Sequence, residues 1–481
     1  MKMKRVICCL LAVLLLLAAL PFAGAEFKDK ILIQSQFVTA VNEMAAQGII
    51  SGFPDGSFGP RKTLTRAQAA KILCVMLEGA EKTEALTKTE TGFSDVPATH
   101  WAAKFVAYCV DKGIVAGVGN GKFDPDGQLS TAAFAKMLLV AYGDDAAKYT
   151  GANWLDAVRE TVDAGFIGFG LTSKVSAKAA KRQEAAQMAY NALTLAEATA
   201  ATKRDDYTGG LPTALPEKLK VLFIGTSGSA DCMLSYLVEF LQEAGVKEMV
   251  LGNLRKSSTR LIEHVQYAVT QESVYTYAKS TGGKWKSTEK GGACMDDAVL
   301  DEQWDYIVVQ HGVSKSGDET TYHPWLEILL QILQKKCPNA ILGWNLNWAL
   351  DYSTKATAYF DTDFGGDSAK MYEALVRASQ NQALTDKRLR FTIPVGTALQ
   401  NARTSYIGHK VTRDGSHLDY GIGRYIAAMT WACTFTGADP AKFTLAPEKL
   451  TAGQIAVAKE AVANAMRTPM AITQSKITAE P

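Results

Sequence analysis

Ser227 lies far along the chain from Asp414 and His417, yet together the three side chains have the makings of a serine nucleophile with its base. Ser227 belongs to FIGTSGSAD, residues 223–231, where an apolar Val-Leu-Phe-Ile run stops at Gly225 and helical sequence begins near Asp231. Such a turn can cradle a phosphate, expose a nucleophile or simply reverse the chain. Phosphate binding is disfavoured, because the turn lacks both the lysine of a P-loop and the glycine spacing of a dinucleotide site. A nucleophile needs a base, and the chain offers six histidines: His100, His264, His311, His323, His409 and His417. His417 stands in TRDGSHLDYG, three residues after Asp414. One turn brings that carboxylate to the far ring nitrogen, where it fixes the tautomer and stabilises the imidazolium during proton transfer. Asp-x-x-His alone is common in surface turns. Its weight here comes from a serine at the end of an earlier strand. Ser229 is a second candidate nucleophile by proximity.

The elements around these residues alternate. Strand-like runs at KVLFIG, KEMVLGNL, DYIVVQHG, AILGWNLNW and RFTIPVG are separated by helix-like segments such as 234–244, 324–335 and 369–379. This alternation predicts a parallel sheet covered on both faces, with ligands at the carboxyl ends of its strands. VYTYAKSTGGKWKST, residues 274–288, alternates about a Gly-Gly turn and predicts an inserted hairpin.

In the order Ser227, Asp414, His417, and in the blocks FIGTSGS, WDYIVVQHG and DGSHL, residues 219–440 resemble the SGNH (GDSL-like) hydrolase superfamily, in particular a group of bacterial SGNH-like domains. The resemblance implies a three-layer, flavodoxin-like α/β domain over 219–467. It also implies Ser227 as nucleophile, His417 as base and Asp414 as its orienter, with no metal or cofactor. The chain departs from the pattern in three places. Thr226 stands where the family has Asp or Asn. Ser257 and Ser258 stand where a glycine N–H is expected, and Ser314, after Gly312-Val313, where an asparagine is expected. The oxyanion candidates are therefore the N–H of Ser227, the N–H of Ser258, the hydroxyl of Ser314 and the turn at Gly312. One such donor is typically worth about 10²–10³ in rate. His311 and Arg403 are further candidate substrate contacts. Trp344 and Trp348 are a candidate sugar platform, with core packing as the plainer reading.

The front half is repetitive. GIISGFPDGSFGPRKTLTRAQAAKIL from Gly48, GIVAGVGNGKFDPDGQLSTAAFAKML from Gly113 and GFIGFGLTSKVSAKAAKRQEAAQMAY from Gly165 each join a helix to a turn and a second helix. Thr65 and Ser130 are predicted N-caps of the second helices. One such unit buries too little by itself, so three should pack together. Residues 93–127, with GFPDGSF and LTRAQ of the first copy, resemble the S-layer homology repeat. That resemblance implies an all-α bundle of three repeats, 34–80, 93–145 and 152–194, binding a secondary cell-wall polysaccharide outside Gram-positive-type cells. Arg66, Arg182 and Glu184 match its motif and are the candidate polymer-binding residues. An arginine there can grip a carboxylate through two parallel bonds. The second copy reads Ser130-Thr131-Ala132-Ala133 at this point, which predicts a weak or silent groove.

Residues 1–25 read as a signal peptide: Lys2, Lys4 and Arg5, an apolar run to Leu20, then Ala23-Gly24-Ala25. No later run is long and apolar enough to span a bilayer. Residues 195–218 read as a tether and 468–481 as a tail. A net charge of +2 gives no reason to expect nucleic acid. The cysteines lack CxxC pairs and zinc-type spacing. The expectation is a secreted, wall-anchored serine esterase or deacetylase acting on an acylated glycan or small ester. The alternative is an inactive module that binds glycan or protein at the surface.

Overall fold

The computed structural model describes residues 27–200, 216–351 and 358–480. The expected signal segment, and residues 201–215 of the expected tether, lie outside them. The chain divides into two compact units, one ending at Ala200 and one beginning at Ala201. Among the described residues no helix is long and apolar enough to cross a membrane.

The first unit is a succession of helix pairs: α1 (Val38–Ala46) with α2 (Arg66–Glu78), α3 (Ala103–Asp111) with α4 (Thr131–Ala141), and α5 (Trp154–Ala164) with α6 (Arg182–Ala200). The predicted caps form. Thr65 Oγ1 accepts the Gln68 N–H at 3.3 Å, and Ser130 Oγ accepts the Ala133 N–H at 3.1 Å. Each satisfies a donor that a helix start leaves open. Just before these starts the backbone closes a ring. Leu64 N–H donates to Ala180 C=O at 2.8 Å, Ala180 N–H to Leu129 C=O at 2.8 Å, and Leu129 N–H to Leu64 C=O at 2.9 Å. Each pair is thus bonded to both others over one shared core that includes Phe37, Phe58, Leu64, Phe123 and Phe134.

Two boundaries differ from the sequence reading. The first pair begins before residue 34, because Asp29 accepts the N–H groups of Phe58 and Gly59 at 2.7 and 2.8 Å. Asp95 does the same for Phe123 and Asp124, both at 2.8 Å. Helix α6 continues through Ala200, so residues 195–200 are helical rather than tether. The segment LAEATA is rich in helix formers and holds no breaker.

The second unit is built on a seven-stranded sheet in the order β4-β3-β2-β1-β5-β6-β7. Its strands are β1 (Lys218–Gly225), β2 (Glu248–Arg255), β3 (Thr276–Thr281), β4 (Lys284–Ser287), β5 (Tyr306–Val309), β6 (Ile341–Asn345) and β7 (Leu389–Ile393). The five strands predicted as buried are mutually parallel. The predicted hairpin forms the antiparallel edge, turning at Gly282 and Gly283 with φ of 58° and 86°. Leu219, Val221 and Phe223 of β1 pack with α8 (Leu237–Glu243), α11 (Val395–Arg403), α12 (Ile422–Thr436) and α13 (Ala452–Arg467). Alternate residues of a strand point to opposite faces, so Leu222 and Ile224 line the other side. That second face also carries helices, with α9 (Leu261–Thr270) packed on α10 (Trp325–Lys336). Residues 468–480 are no loose tail: Thr473 N–H donates to Asn401 Oδ1 at 2.7 Å, and Tyr406 N–H to Ile477 C=O at 3.2 Å.

The strand order matters for the site. β1 lies between β2 and β5, so the turns after these three strands open side by side at the carboxyl edge.

Candidate active site

β1 ends at Gly225, a position with no room for a side chain. A Cβ there would lie 2.8 Å from Gln310 Oε1 and 2.9 Å from Ser229 Cβ. Thr226 then caps α7 (Ser227–Met233), its Oγ1 accepting the Gly228 N–H at 3.3 Å. Ser227 is therefore the first helical residue, and it is only partly buried. Ser229 is fully buried. Its hydroxyl donates to Thr226 C=O at 2.7 Å and accepts from Asn253 Nδ2 at 2.9 Å. It holds the turn together and has no access to a substrate.

Ser227 Oγ lies 2.9 Å from His417 Nε2, and His417 Nδ1 lies 2.8 Å from Asp414 Oδ2. The other carboxylate oxygen of Asp414 accepts the N–H groups of Ser416 at 3.0 Å and His417 at 2.7 Å. This local turn places carboxylate and imidazole on one side of the loop. The loop is pinned from below. Trp348 Nε1 donates to Ser416 C=O at 2.7 Å, Asp351 N–H to Gly415 C=O at 3.0 Å, and Leu418 N–H to Asp231 Oδ2 at 3.0 Å. Burial raises the Asp414 carboxyl, but the His417 N–H, the His417 ring and the Ser416 N–H outweigh it and hold the group below its ordinary value. An ionised carboxylate only accepts hydrogen bonds, so His417 Nδ1 carries the proton and Nε2 offers its lone pair to the Ser227 hydroxyl.

The oxyanion candidates lie in neighbouring turns. Ser258 is exposed in the turn after β2, with φ of 57°. Glycine enters that left-handed region without cost, so the backbone keeps a glycine conformation under a serine side chain. Gly312, after β5, packs against this same turn: a Cβ would lie 2.7 Å from Thr259 C=O. Ser314 follows it, partly buried.

The remaining candidates belong to the framework. His311 is fully buried, its Nε2 lies 2.9 Å from Thr321 Oγ1, and burial pushes its pKa down to about 3. Arg403 donates to Ala349 C=O at 2.9 Å and Gln400 Oε1 at 3.0 Å. Trp344 and Trp348 are buried and donate to Ser379 Oγ at 3.1 Å and Ser416 C=O at 2.7 Å, so neither is a platform for sugar. Sequence reasoning passed over Asp231 and Asn253. Asp231 had a usable signal, since it falls one helical turn after Ser227.

In the first unit the motif side chains hold neighbouring turns. Arg66 donates to the carbonyls of Phe123 and Ala116, both at 2.7 Å, and lies 4.5 Å from the Phe123 ring centre. Arg182 donates to Phe58 C=O at 2.8 Å and Ser51 C=O at 2.6 Å, between the rings of Phe53 and Phe58. Glu184 accepts the Lys181 N–H at 2.9 Å and the Thr172 hydroxyl at 3.3 Å. In the second pair the shorter Thr131 does this work, donating to Ser176 C=O at 3.0 Å. A cleft lined by Ser51, Phe53, Gln68, Lys71, Trp101 and Arg182 opens beside the Arg182 guanidinium. Trp101 in it is 53% exposed.

A family model described as a domain of unknown function (DUF4886) matches residues 220–465, and the S-layer homology domain model matches residues 26–70 and 92–135. The crystal structure of a DUF4886 family protein from Bacteroides uniformis is 33% identical, with a TM-score of 0.50, covering 53% of this chain and 98% of that one. Cell surface glycoprotein 1 of Acetivibrio thermocellus is 37% identical over 90 residues, 19% of this chain and 4% of that protein. S-layer protein EA1 of Bacillus anthracis is 34% identical over 103 residues, 21% of this chain and 11% of that protein. The chain thus spans only a small part of the length of these curated relatives.

Proposed function

We propose, since this chain belongs through residues 220–465 to the DUF4886 family, that its second unit is a serine ester hydrolase displayed at the cell surface by S-layer homology domains. The observation that carries this reading is the unbroken line from Ser227 Oγ through His417 to Asp414, with contacts of 2.9 and 2.8 Å. In the reaction, His417 Nε2 takes the Ser227 proton as Oγ attacks an ester carbonyl. The tetrahedral intermediate is held by the Ser227 N–H, aided by donors in the turns at Ser258 and Gly312-Ser314. His417 then gives its proton to the departing alcohol. Water activated by the same ring releases the acid from the acyl-enzyme. The substrate class we favour is an O-acylated glycan of the envelope or its surroundings, because the S-layer homology domains make this a cell-surface protein.

For anchoring, we propose that a secondary cell-wall polysaccharide occupies the cleft by Lys71, Trp101 and Arg182, and that the third helix pair is a repeat of the same kind. The ring of backbone bonds through Ala180 supports the latter. A fluorophosphonate probe tests the chemistry. It should label the wild type and leave Ser227→Ala unlabelled. Absence of labelling, together with glycan binding, would favour a surface binding module instead. The serines standing at the glycine and asparagine positions, Ser258 and Ser314, are what motivate that second reading.

A further inference from the structure

We infer that Asp231 is a positioning residue: it sets the register between Ser227 and His417 by clamping the base-bearing loop to the nucleophile's own helix. This rests on the hydrolase reading above. Ser227 and Asp231 are four residues apart in α7, on one face and about 6 Å apart. Two consecutive loop residues meet them. His417 Nε2 lies 2.9 Å from Ser227 Oγ, and Leu418 N–H lies 3.0 Å from Asp231 Oδ2. With two points of attachment, the loop cannot pivot about either one.

The clamp is fully engaged. Asp231 is 1% exposed, and a buried carboxylate is costly unless paired and hydrogen-bonded. Its Oδ1 takes Arg424 Nη2 at 2.6 Å and Arg413 Nη1 at 3.3 Å. Arg413 belongs to the base-bearing loop. Its N–H donates to His417 C=O at 2.9 Å, and its guanidinium reaches Leu418 C=O. Arg424 comes from the first turn of α12, the helix that follows the loop, and also donates to Ser235 Oγ at 3.2 Å. Helix, loop and next helix therefore converge on one side chain. Every partner of that carboxylate is a donor. An amide in its place would turn its NH₂ on either the arginines or Leu418 N–H, and the loop would have to shift. Displacements of about 1 Å at a reacting centre can cost about 10²-fold.

The test compares full-length wild type, Ser227→Ala, Asp231→Asn and Arg413→Gln in p-nitrophenyl acetate hydrolysis and fluorophosphonate labelling, with the folded fraction read by circular dichroism. Asp231→Asn should lose about 10- to 100-fold in kcat per folded molecule, with KM within about twofold and the loss equal from pH 6 to 9. Arg413→Gln, which removes the longer contact to Asp231 together with the guanidinium's bond to Leu418 C=O and leaves Arg424 and Leu418 N–H on the carboxylate, should lose less, about 3- to 10-fold, and it decides the matter if Asp231→Asn fails to fold. A kcat per folded molecule within twofold of wild type for the decisive variant would overturn the clamp. If the wild type itself neither turns over ester nor is labelled, the hydrolase reading falls. The clamp is then judged by the ¹H resonance of the His417 ring N–H. A resonance shifted or lost in the decisive variant supports it, and an unchanged one removes it.

Discussion

At the scale of single residues, the proposed chemistry depends on which ring nitrogen of His417 carries the proton. Asp414, held ionised by two backbone N–H groups and the ring, can only accept. Asp414→Asn would turn an amide N–H toward Nδ1 and favour the tautomer with hydrogen on Nε2, which cannot take the Ser227 proton. Turnover of p-nitrophenyl acetate should fall by about 10³–10⁴ while the melting temperature changes little. A loss under tenfold would remove Asp414 from the mechanism. The depressed Asp414 value also has a sign: its contribution to stability is present above the ordinary carboxylate value and is lost as pH falls through the folded one. Two other histidines report on the interior. Burial pushes His264 and His311 down to about 3 from an ordinary 6.5. Between those values the unfolded chain binds protons that the folded chain refuses. Their contribution to stability is therefore fully present above about pH 6.5 and declines as pH falls toward 3. Thermal melts between pH 7 and pH 4 should show this decline, with a shallower slope in His311→Asn.

At the scale of elements, the site is a set of turns at strand ends, and their shapes were only half legible. The strand-like runs and the Gly-Gly hairpin could be read because burial and turn chemistry act over a few residues. The left-handed backbone at Ser258 could not, because its side chain gives no sign of it. A left-handed residue other than glycine costs about 1–2 kcal/mol, part of which glycine loses again through unfolded-state entropy. Ser258→Gly should therefore raise stability by about 0.5–1 kcal/mol in urea titration and leave esterase turnover intact. Lost turnover in that variant would show that the Ser258 hydroxyl, and not its N–H, serves the site. Trp348 teaches the same lesson. As a residue type it suggested a sugar platform, but its indole N–H is occupied by Ser416 C=O and its ring lies under Gly228.

At the scale of the whole molecule, the two parts of the proposed function fall to two separately packed units. The motif arginines of the first unit stack on aromatic rings and bond turn carbonyls, so their removal mixes binding with folding. Trp101 and Lys71 separate the two. Trp101→Ala and Lys71→Ala should reduce pelleting with purified cell-wall sacculi several-fold without moving the melting temperature. Arg182→Ala should lower both, since each hydrogen bond from a charged donor is worth about 1.5–3 kcal/mol. Undiminished pelleting of Trp101→Ala would move the anchoring site elsewhere. What the sequence determined by itself was local: helix caps at Thr65 and Ser130, the strand-like runs, the repeats, and the three residue types suited to acyl transfer. Only the tertiary structure decided that Ser227 meets His417 across 190 residues, that Asp231 ties their supports together, and that three helix pairs close a ring. Propensity and periodicity act within a turn or a strand. Contacts between distant residues follow from strand order and packing, which belong to the chain as a whole.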